Sequence, residues 1–498
     1  MYTVCGFIVI YWCLGPVGTT SGEFNSDSAI PVIMSNTDFL SPFHLYYFGQ
    51  DRLGGWPYII LWAISSLFST VISPIAVFSA QALLFAAAAC SVSIIFPSIP
   101  FAPLLLVCSA LVHPLAQQFF FEINNPYCIQ ISLCFVYWAL RKKIGNDGSS
   151  EQTSLLLGLG IVGFLCLWTS PASIIFLFMI HLFENRKFTN VFTTRKAQAL
   201  FYMMPIIGLG IEKIFQWWYR SYVNNAFASE LKNYDFSVVT KTSVRFSDFF
   251  NNLFENIKVL NSGFELFIPF LVLYGIILGL YFLIKANKTP ENKENIKNVS
   301  LLFCITFASI TVFSMIDWVR VHHHMVRYHV PQIVLMTFSI TVMVCTLKSM
   351  LINFKQTRWL NYLIAPALIL YIAAWSNSFK KRHNAFANLQ QEAEALVIAE
   401  DKTVILGDYW GSYVWQGLKP DKLVGIPIQG HAMRIPWSYK KINNGSQVIS
   451  CFDLTAKTQF GNEFSFLKNL NVPGKCAYKS FLVKPKTDDN NKDHMHQS

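Results

Sequence analysis

Charged residues are scarce in this sequence. Only 13% of its 498 residues are Asp, Glu, Lys or Arg, and 53% are hydrophobic, whereas about 25% of a typical soluble domain is charged. The charges that do occur are concentrated from Lys380 onwards. This distribution excludes an ordinary cytosolic enzyme and indicates two chemically different parts in one chain.

Motifs of soluble catalysis are also lacking. No P-loop, G-x-S-x-G elbow, H-E-x-x-H pair, C-x-x-C pair or dinucleotide fingerprint stands in a supporting context. Most of the 11 cysteines lie in apolar stretches without metal-ligand spacing, which is typical of packing residues. Cys451 and Cys476 lie in the polar tail, where a disulfide suited to an oxidising compartment and two free thiols both fit.

Long apolar stretches recur up to Ser376. A hydrocarbon core about 30 Å thick needs around 20 apolar residues per helix. The net charge is +11, but the basic residues form short clusters between apolar stretches, which indicates positive-inside bias rather than nucleic-acid binding. We therefore predict a mostly α protein whose residues 1–379 form a polytopic helical membrane domain of about eleven transmembrane helices.

The basic clusters orient the chain because Lys and Arg favour the cytoplasmic side. Residues 4–17 lack a basic n-region and a cleavage site, so we predict an uncleaved span and an internal N-terminus. The number of crossings agrees with the predicted sides of the basic clusters under two conditions. Residues 58–72 must lie along the outer interface or dip in and out, and 154–183 must be a hairpin of half-thickness helices broken near Pro171. The other predicted crossings are 74–96, 101–119, 127–140, 197–215, 266–284, 299–316, 331–347 and 359–376. The outer face then holds 19–57, 120–126, 216–265, 317–329 and the tail.

The tail is predicted to be a soluble extracytoplasmic α/β domain over residues 380–485, with 486–498 disordered. Residues 385–399 have helical apolar spacing, and 403–406 followed by Gly407-Asp408 predicts a strand and a turn. Further short strand or helix candidates are 409–415, 423–428, 447–452 and 477–483.

The first outer loop carries a carboxylate, Asp27, just where the chain leaves the membrane. An acid at a membrane rim can act as a general base toward an acceptor hydroxyl or can ligate a divalent cation. The alternative is a helix cap or turn residue, because Ser, Asp and Asn cluster where helices begin.

The same loop continues with aromatic residues beside polar groups, namely Tyr47, Gln50, Asp51 and Arg52. Flat rings and hydrogen-bonding side chains are typical of a sugar site. An interfacial aromatic belt with snorkelling charge fits the same pattern. Glu122 adds a second outer acid, either as a substrate-binding group or as a plain loop carboxylate.

The fourth outer segment is rich in cationic and titratable groups. Its three consecutive histidines, 322–324, are a poor zinc site on a helix because neighbouring side chains point about 100° apart. Phosphate binding is favoured, with the planar forks of Arg320 and Arg327 assisted by His324. Headgroup snorkelling is the alternative.

Taken in order, these features resemble the GT-C superfamily of membrane glycosyltransferases, in particular the dolichyl-phosphate-mannose protein mannosyltransferase and aminoarabinose transferase group. The resemblance spans most of the chain. It rests on Asp27, the interfacial aromatic segment, the paired half-helices at 155–160, the outer α/β module, and Arg327-Tyr328-His329-Val330-Pro331, which is similar to an Arg-Tyr-x-x-Pro start of a late span.

The resemblance implies a sugar donor on a polyprenyl phosphate and a lipid, glycan or protein acceptor. Asp27 would deprotonate the acceptor, and Arg327 would stabilise the leaving phosphate in an inverting displacement. Many relatives carry adjacent Asp-Glu in the first loop, whereas Asp27 stands between two serines. No cofactor is therefore firmly implied, and a divalent cation stays open. Asp408-Tyr409-Trp410-Gly411 only partly matches the Trp-Trp-Asp signature, which disfavours peptide Asn glycosylation.

Two other functions fit part of the pattern. A transporter or flippase would carry ionisable residues near the bilayer midplane and often repeated halves, but the notable groups here cluster on one face. A membrane-anchored binding protein would need a far smaller membrane part. The resemblance favours a bacterial inner membrane with a periplasmic tail, although an endoplasmic reticulum membrane with a luminal tail predicts the same pattern.

Overall fold

The computed structural model describes residues 24, 26–48, 53–111, 123, 126–144, 151–184, 195–226, 246–262, 270, 272–276, 290–315, 329–351, 386–398, 402–407, 409–427, 447–451, 454, 463–470 and 477–484. This part of the chain is mostly helical. Its helices are α1 (Ser26–Ser35), α2 (Trp56–Phe68), α3 (Pro74–Ile95), α4 (Ala102–Leu111), α5 (Pro126–Lys143), α6 (Glu151–Thr169), α7 (Ile174–Phe183), α8 (Arg195–Ala226), α9 (Phe246–Ser262), α10 (Pro290–Phe313), α11 (Val330–Leu351), α12 (386–395) and α13 (Tyr409–Leu418). Its strands are β1 (Thr403–Gly407), β2 (Leu423–Pro427), β3 (Gln447–Ser450), β4 (Glu463–Asn469) and β5 (Lys479–Lys484).

Two of the described helices are long and apolar enough to cross a membrane, namely α3 and the part Lys293–Phe313 of α10. Helix α3 starts with an N-cap, because the Ser73 side chain accepts from the Ala76 backbone N–H at 3.2 Å and Pro74 occupies the first turn. The total of eleven crossings stays a prediction.

Helix α2 is 13 residues long, about 20 Å, which is too short for a hydrocarbon core of about 30 Å. It leaves Ile64, Leu67 and Phe68 exposed, as expected of a helix whose apolar face meets lipid. The helix therefore agrees with an interfacial position for residues 58–72.

The apolar segment 154–183 is broken into two helices, α6 and α7, at the predicted place. α6 ends at Thr169, Ser170 is extended, and Pro171 opens a 3₁₀ turn that leads into α7, because proline disfavours a helical residue before it. The expectation of two half-thickness helices was wrong for the first arm. Helix α6 has 19 residues, about 28 Å, whereas α7 has 10 residues, about 15 Å.

Helix α8 extends well past the predicted crossing at 197–215. It has 32 residues with Pro205 inside it, and its length of about 48 Å exceeds a hydrocarbon core of about 30 Å. The last turns of α8, together with α9, occupy part of the segment 216–265 that the sequence assigned to the outer face. The segment predicted to lie outside therefore contains two helical parts.

A charge cluster ties together the ends of α5, α7 and α10. Glu184, which is 1% exposed, accepts from the Trp138 indole at 3.0 Å and from Lys297 Nζ at 2.7 Å. Lys142 Nζ lies 2.9 Å from Glu294 Oε1. This cluster lies at the helix ends that carry the basic segment 141–143, on the predicted cytoplasmic side.

The tail forms a five-stranded sheet in the order β2-β1-β3-β5-β4. β1 pairs in parallel with β2 and β3, while β5 pairs antiparallel with β3 and β4. The predicted strand at 403–406 is β1, and the other four candidate segments contain α13, β2, β3 and β5. Strand β4 was missed, since this edge strand leaves Phe466 and Leu467 both exposed rather than alternating.

The α/β tail packs directly on the N-terminal part of the described chain, with α13 lying against α1. The ring of Phe24 meets that of Phe386 edge-on, with centroids 6.0 Å apart. Lys402 Nζ lies 3.8 Å from Asp38 Oδ1 in the loop after α1. The tail and the first outer loop therefore form one packed unit.

Candidate active site

Asp27 lies in the first turn of α1 and is partly exposed. The helix dipole favours a carboxylate at this position, so the helix-start alternative describes its backbone correctly. The side chain keeps access to solvent, which a general base needs. The Tyr47 hydroxyl donates to the backbone carbonyl of Asp27 at 2.7 Å, and this contact holds the start of the helix.

The chain after α1 folds back as a hairpin made of residues 43–48 and 53–55, which we call the aromatic hairpin. Tyr46 and Gly54 form an antiparallel bridge. The Tyr47 N–H donates to the Leu53 carbonyl at 2.8 Å, and the Gly55 N–H donates to the Leu45 carbonyl at 2.9 Å. The hairpin therefore has a hydrogen-bonded base.

The top of α6 anchors this hairpin. The Trp168 indole donates to the Leu45 carbonyl at 2.8 Å, and the Trp56 indole donates to Thr169 Oγ1 at 2.8 Å. A Cβ on Gly54 would lie 2.3 Å from the Trp168 carbonyl oxygen, so only glycine fits there. The break after α6 thus supports the outer loop.

Glu212 of α8 also contacts the hairpin, and the sequence analysis did not single it out. Its side chain is fully buried, and the Tyr46 hydroxyl donates to Oε1 at 2.9 Å. Lys213 Nζ lies 3.3 Å from Oε2. The available signal was an acid inside an apolar stretch predicted as a crossing, where ionisable residues have functional roles by default.

Aromatic rings fill the space between the hairpin and α8. Phe43 stacks on Tyr219 with centroids 5.5 Å apart, and Tyr46 meets Tyr219 edge-on at 5.3 Å. Phe43 also contacts Phe48 at 4.8 Å. Tyr47 is itself 2% exposed, so its ring supports the loop rather than presenting an open face.

His44 is buried within the same hairpin. The Ser41 N–H donates to Nδ1 at 3.2 Å, and Nε2 lies 2.8 Å from Thr37 Oγ1. Burial lowers the pKa of His44 to about 4, and the Ser41 backbone carbonyl, 3.3 Å from Nδ1, acts in the opposite direction. The imidazole is therefore neutral at physiological pH.

The start of α11 matches the Arg-Tyr-x-x-Pro expectation in its helix boundary. The helix begins at Val330 with Pro331 in its first turn, directly after the buried His329. Gln332 donates to Ser309 Oγ at 3.0 Å and so ties α11 to α10. Near this end, Asn256 of α9 donates to Ser314 Oγ at 2.8 Å.

An apolar cavity of about 150 Å³ lies between α5, α6, α7 and α8. Gly160 and Gly163 of α6 and Gly208 of α8 line the cavity, and their lack of side chains leaves space between the two helices. Phe164 in its wall contacts the ring of Trp168, with centroids 5.6 Å apart. The cavity therefore lies along the middle of α6, about one helical turn from the residues that anchor the aromatic hairpin.

Of the predicted site residues, Asp27 and Tyr47 are brought together. Gln50, Asp51, Arg52, Glu122, Arg320, His324 and Arg327 lie outside the described residues. Within the described ranges, no group of three or more His, Cys, Asp or Glu side chains is placed to hold a metal ion. Cys451 is disulfide-bonded, whereas Cys476 falls outside the described part.

Sequence comparisons match no family model and no curated protein. The structure is similar to that of ArnT from Cupriavidus metallidurans bound to undecaprenyl phosphate, with TM-score 0.53, 10% identity, and coverage of 96% of this chain and 97% of ArnT. It is more distantly similar to the Archaeoglobus fulgidus oligosaccharyltransferase in complex with Zn and sulfate. There the TM-score is 0.42, the identity 12%, and the coverage 91% and 68%.

The likeness to ArnT runs over nearly the whole of both chains. It includes the helical domain and the α/β tail that packs on α1. At 10% identity this likeness concerns the fold. The chain therefore has the overall fold of ArnT.

Proposed function

We propose that this protein is a glycosyltransferase that moves a sugar from a polyprenyl-phosphate donor to an acceptor hydroxyl at the extracytoplasmic membrane face. The observation that carries the proposal is the position of Asp27. A partly exposed carboxylate lies in the first turn of α1, and α1 contacts both the aromatic hairpin and the tail of an ArnT-like fold.

In the proposed reaction, Asp27 takes the proton of the acceptor hydroxyl as the acceptor oxygen attacks the anomeric carbon. The bond from that carbon to the phosphate oxygen breaks, and the polyprenyl phosphate leaves with the electron pair. Attack opposite the leaving group inverts the anomeric configuration. Arg327 is proposed to stabilise the leaving phosphate, with Arg320 and His324 beside it.

The donor class is supported by the ArnT structure, which contains undecaprenyl phosphate. The apolar cavity along α6 offers space for part of a lipid chain next to the hairpin. Gln50, Asp51, Arg52 and Glu122 are proposed to bind sugar hydroxyls. A bacterial inner membrane with a periplasmic tail is the proposed location.

The test is transfer by the purified protein in lipid nanodiscs. Radiolabelled polyprenyl-phosphate pentoses and hexoses are offered with lipid, glycan and peptide acceptors, with and without EDTA. Asp27→Asn should lower turnover about a hundredfold or more, because the base is lost while the shape is kept. Loss of transfer with EDTA would add a divalent cation to the site.

The matched control is Asp38→Asn. Asp38 lies in the same outer segment, with a 76% exposed side chain, and this change should leave turnover within about twofold. Normal turnover of Asp27→Asn would remove Asp27 from the base role. Movement of labelled donor across proteoliposomes without transfer to any acceptor would instead support a transporter.

A further inference from the structure

Glu212 is a carboxylate in a place where a charge is costly. It is fully buried in α8, and the described contacts of its side chain are the Tyr46 hydroxyl at 2.9 Å and Lys213 Nζ at 3.3 Å. A buried charge persists only where its partners compensate for lost hydration. The Tyr46 hydroxyl also lies 3.0 Å from the Glu212 carbonyl oxygen. Tyr46 therefore contacts both the side chain and the backbone of one residue of α8.

The neighbouring residue of the hairpin bonds to the other side of the site. Tyr46 reaches Glu212 of α8, while Tyr47 reaches the Asp27 carbonyl of α1 at 2.7 Å. Successive residues of an extended segment point in opposite directions. One arm of the aromatic hairpin thus connects α8 with the start of α1.

We propose that Glu212 is a positioning residue for the transfer reaction. By accepting the Tyr46 hydrogen bond, it sets the height and angle of the aromatic hairpin on α8. Through Tyr47, the hairpin then fixes the first turn of α1 and the carboxylate of Asp27. The effect on catalysis rests on the proposed function, whereas the effect on hairpin geometry does not.

The chemistry of the pair makes this link sensitive. A hydrogen bond to a charged acceptor is stronger than one between neutral groups, and a small displacement of a catalytic group costs much of its rate. Removing either partner should therefore lower kcat about tenfold. Donor KM should change less, because Asp27 acts on the acceptor.

The experiment compares Tyr46→Phe, Glu212→Ala, their double variant and Glu212→Gln in nanodiscs. Each is measured for transfer kinetics and for hydrogen exchange of the peptide over residues 41–48. Both single variants should lose about tenfold in kcat, because each removes the bond to the carboxylate. The double variant should lose no more than Tyr46→Phe, which already removes the contacts of the hydroxyl with both the carboxylate and the carbonyl of residue 212. Glu212→Gln should restore most of kcat, since its amide oxygen still accepts from Tyr46.

Tyr478→Phe is the matched control. Its hydroxyl also donates to a glutamate, Glu392 Oε1 at 3.3 Å, but within the tail. The control removes a similar bond and should leave kcat and exchange over 41–48 unchanged.

Hydrogen exchange separates the two proposals. One outcome is that the wild type transfers no sugar while Tyr46→Phe exchanges faster than the wild type over residues 41–48. This outcome would support the positioning role in hairpin geometry and reject the proposed function. Transfer by the wild type, with unchanged kcat and exchange in Tyr46→Phe, would overturn the positioning role. Multiplied losses in the double variant would overturn it as well.

Discussion

Gly417 of the tail helix α13 lies directly against Ala29 of α1. A Cβ placed on Gly417 would be 2.5 Å from the Ala29 Cβ and 2.8 Å from its Cα, closer than atoms can approach. The absence of a side chain at one residue thus allows the α/β tail to pack on the helix whose first turn contains Asp27.

We expect Gly417→Ala to separate these helices and to lower the melting temperature of the full-length protein. Gly210→Ala is the control, because Gly210 is also helical and faces open space. Both changes gain about 1 kcal/mol of helix propensity, so a difference between them isolates the clash. Differential scanning fluorimetry in detergent measures both, and equal melting temperatures would contradict tight docking.

His44 should make stability depend on pH. Its pKa is about 4 in the fold and 6.5 in the unfolded chain, so protons bind the unfolded chain more readily below pH 6.5. The contribution of neutral His44 to the free energy of unfolding is fully present above that pH. It falls by up to about 3 kcal/mol as the pH approaches 4. Melting temperatures of the wild type and His44→Gln, compared from pH 7.5 to 4.5, should converge at low pH. A constant difference would refute this assignment.

Removal of Glu184 should destabilise the membrane domain strongly. Glu184→Ala removes the buried carboxylate that accepts from both Lys297 Nζ and the Trp138 indole, and breaking a buried ion pair typically costs about 3–5 kcal/mol. Glu255→Ala breaks an exposed pair with Lys258, 3.7 Å apart, and should cost less than about 1 kcal/mol. Thermal unfolding of both variants gives the comparison, and a similar small effect for both would show that the cluster is solvated.

Arg327→Ala should weaken binding of the lipid-phosphate donor, if the proposed phosphate role holds. Loss of one charge-assisted contact predicts a rise in donor Kd of about tenfold or more. Arg327→Lys keeps the charge without the planar fork and should give an intermediate value. Fluorescence titration with a polyprenyl phosphate measures each Kd, and an unchanged value for Arg327→Ala would count against the assignment.

The predicted topology places the loop after Lys143 and the C-terminus on opposite sides of the membrane. Single cysteines introduced at Lys143 and Ser498, in a background freed of reactive native cysteines, should differ in labelling by an impermeant maleimide in intact cells. Labelling of both from the same side would refute the arrangement of crossings.

Much of the architecture follows from local patterns. The break between α6 and α7 at Pro171 and the strand β1 were predicted. Proline and a short apolar run before Gly407 determine the local backbone conformation within a few residues. The lengths of α6 and α8 were misjudged, since hydropathy marks where a helix contacts lipid and not where it ends. Strand β4 lacked an alternating pattern because it lies at the sheet edge.

The sequence by itself determined the mostly helical architecture and the α/β tail, because composition and periodicity depend only on neighbouring residues. The membrane crossings and the outer position of Asp27 stay predictions. Only the tertiary structure decided that Tyr46 pairs with Glu212, 166 positions away, that Tyr47 holds Asp27, and that Gly417 meets Ala29. These contacts arise from helix packing between distant segments. No local pattern specifies which distant surfaces meet.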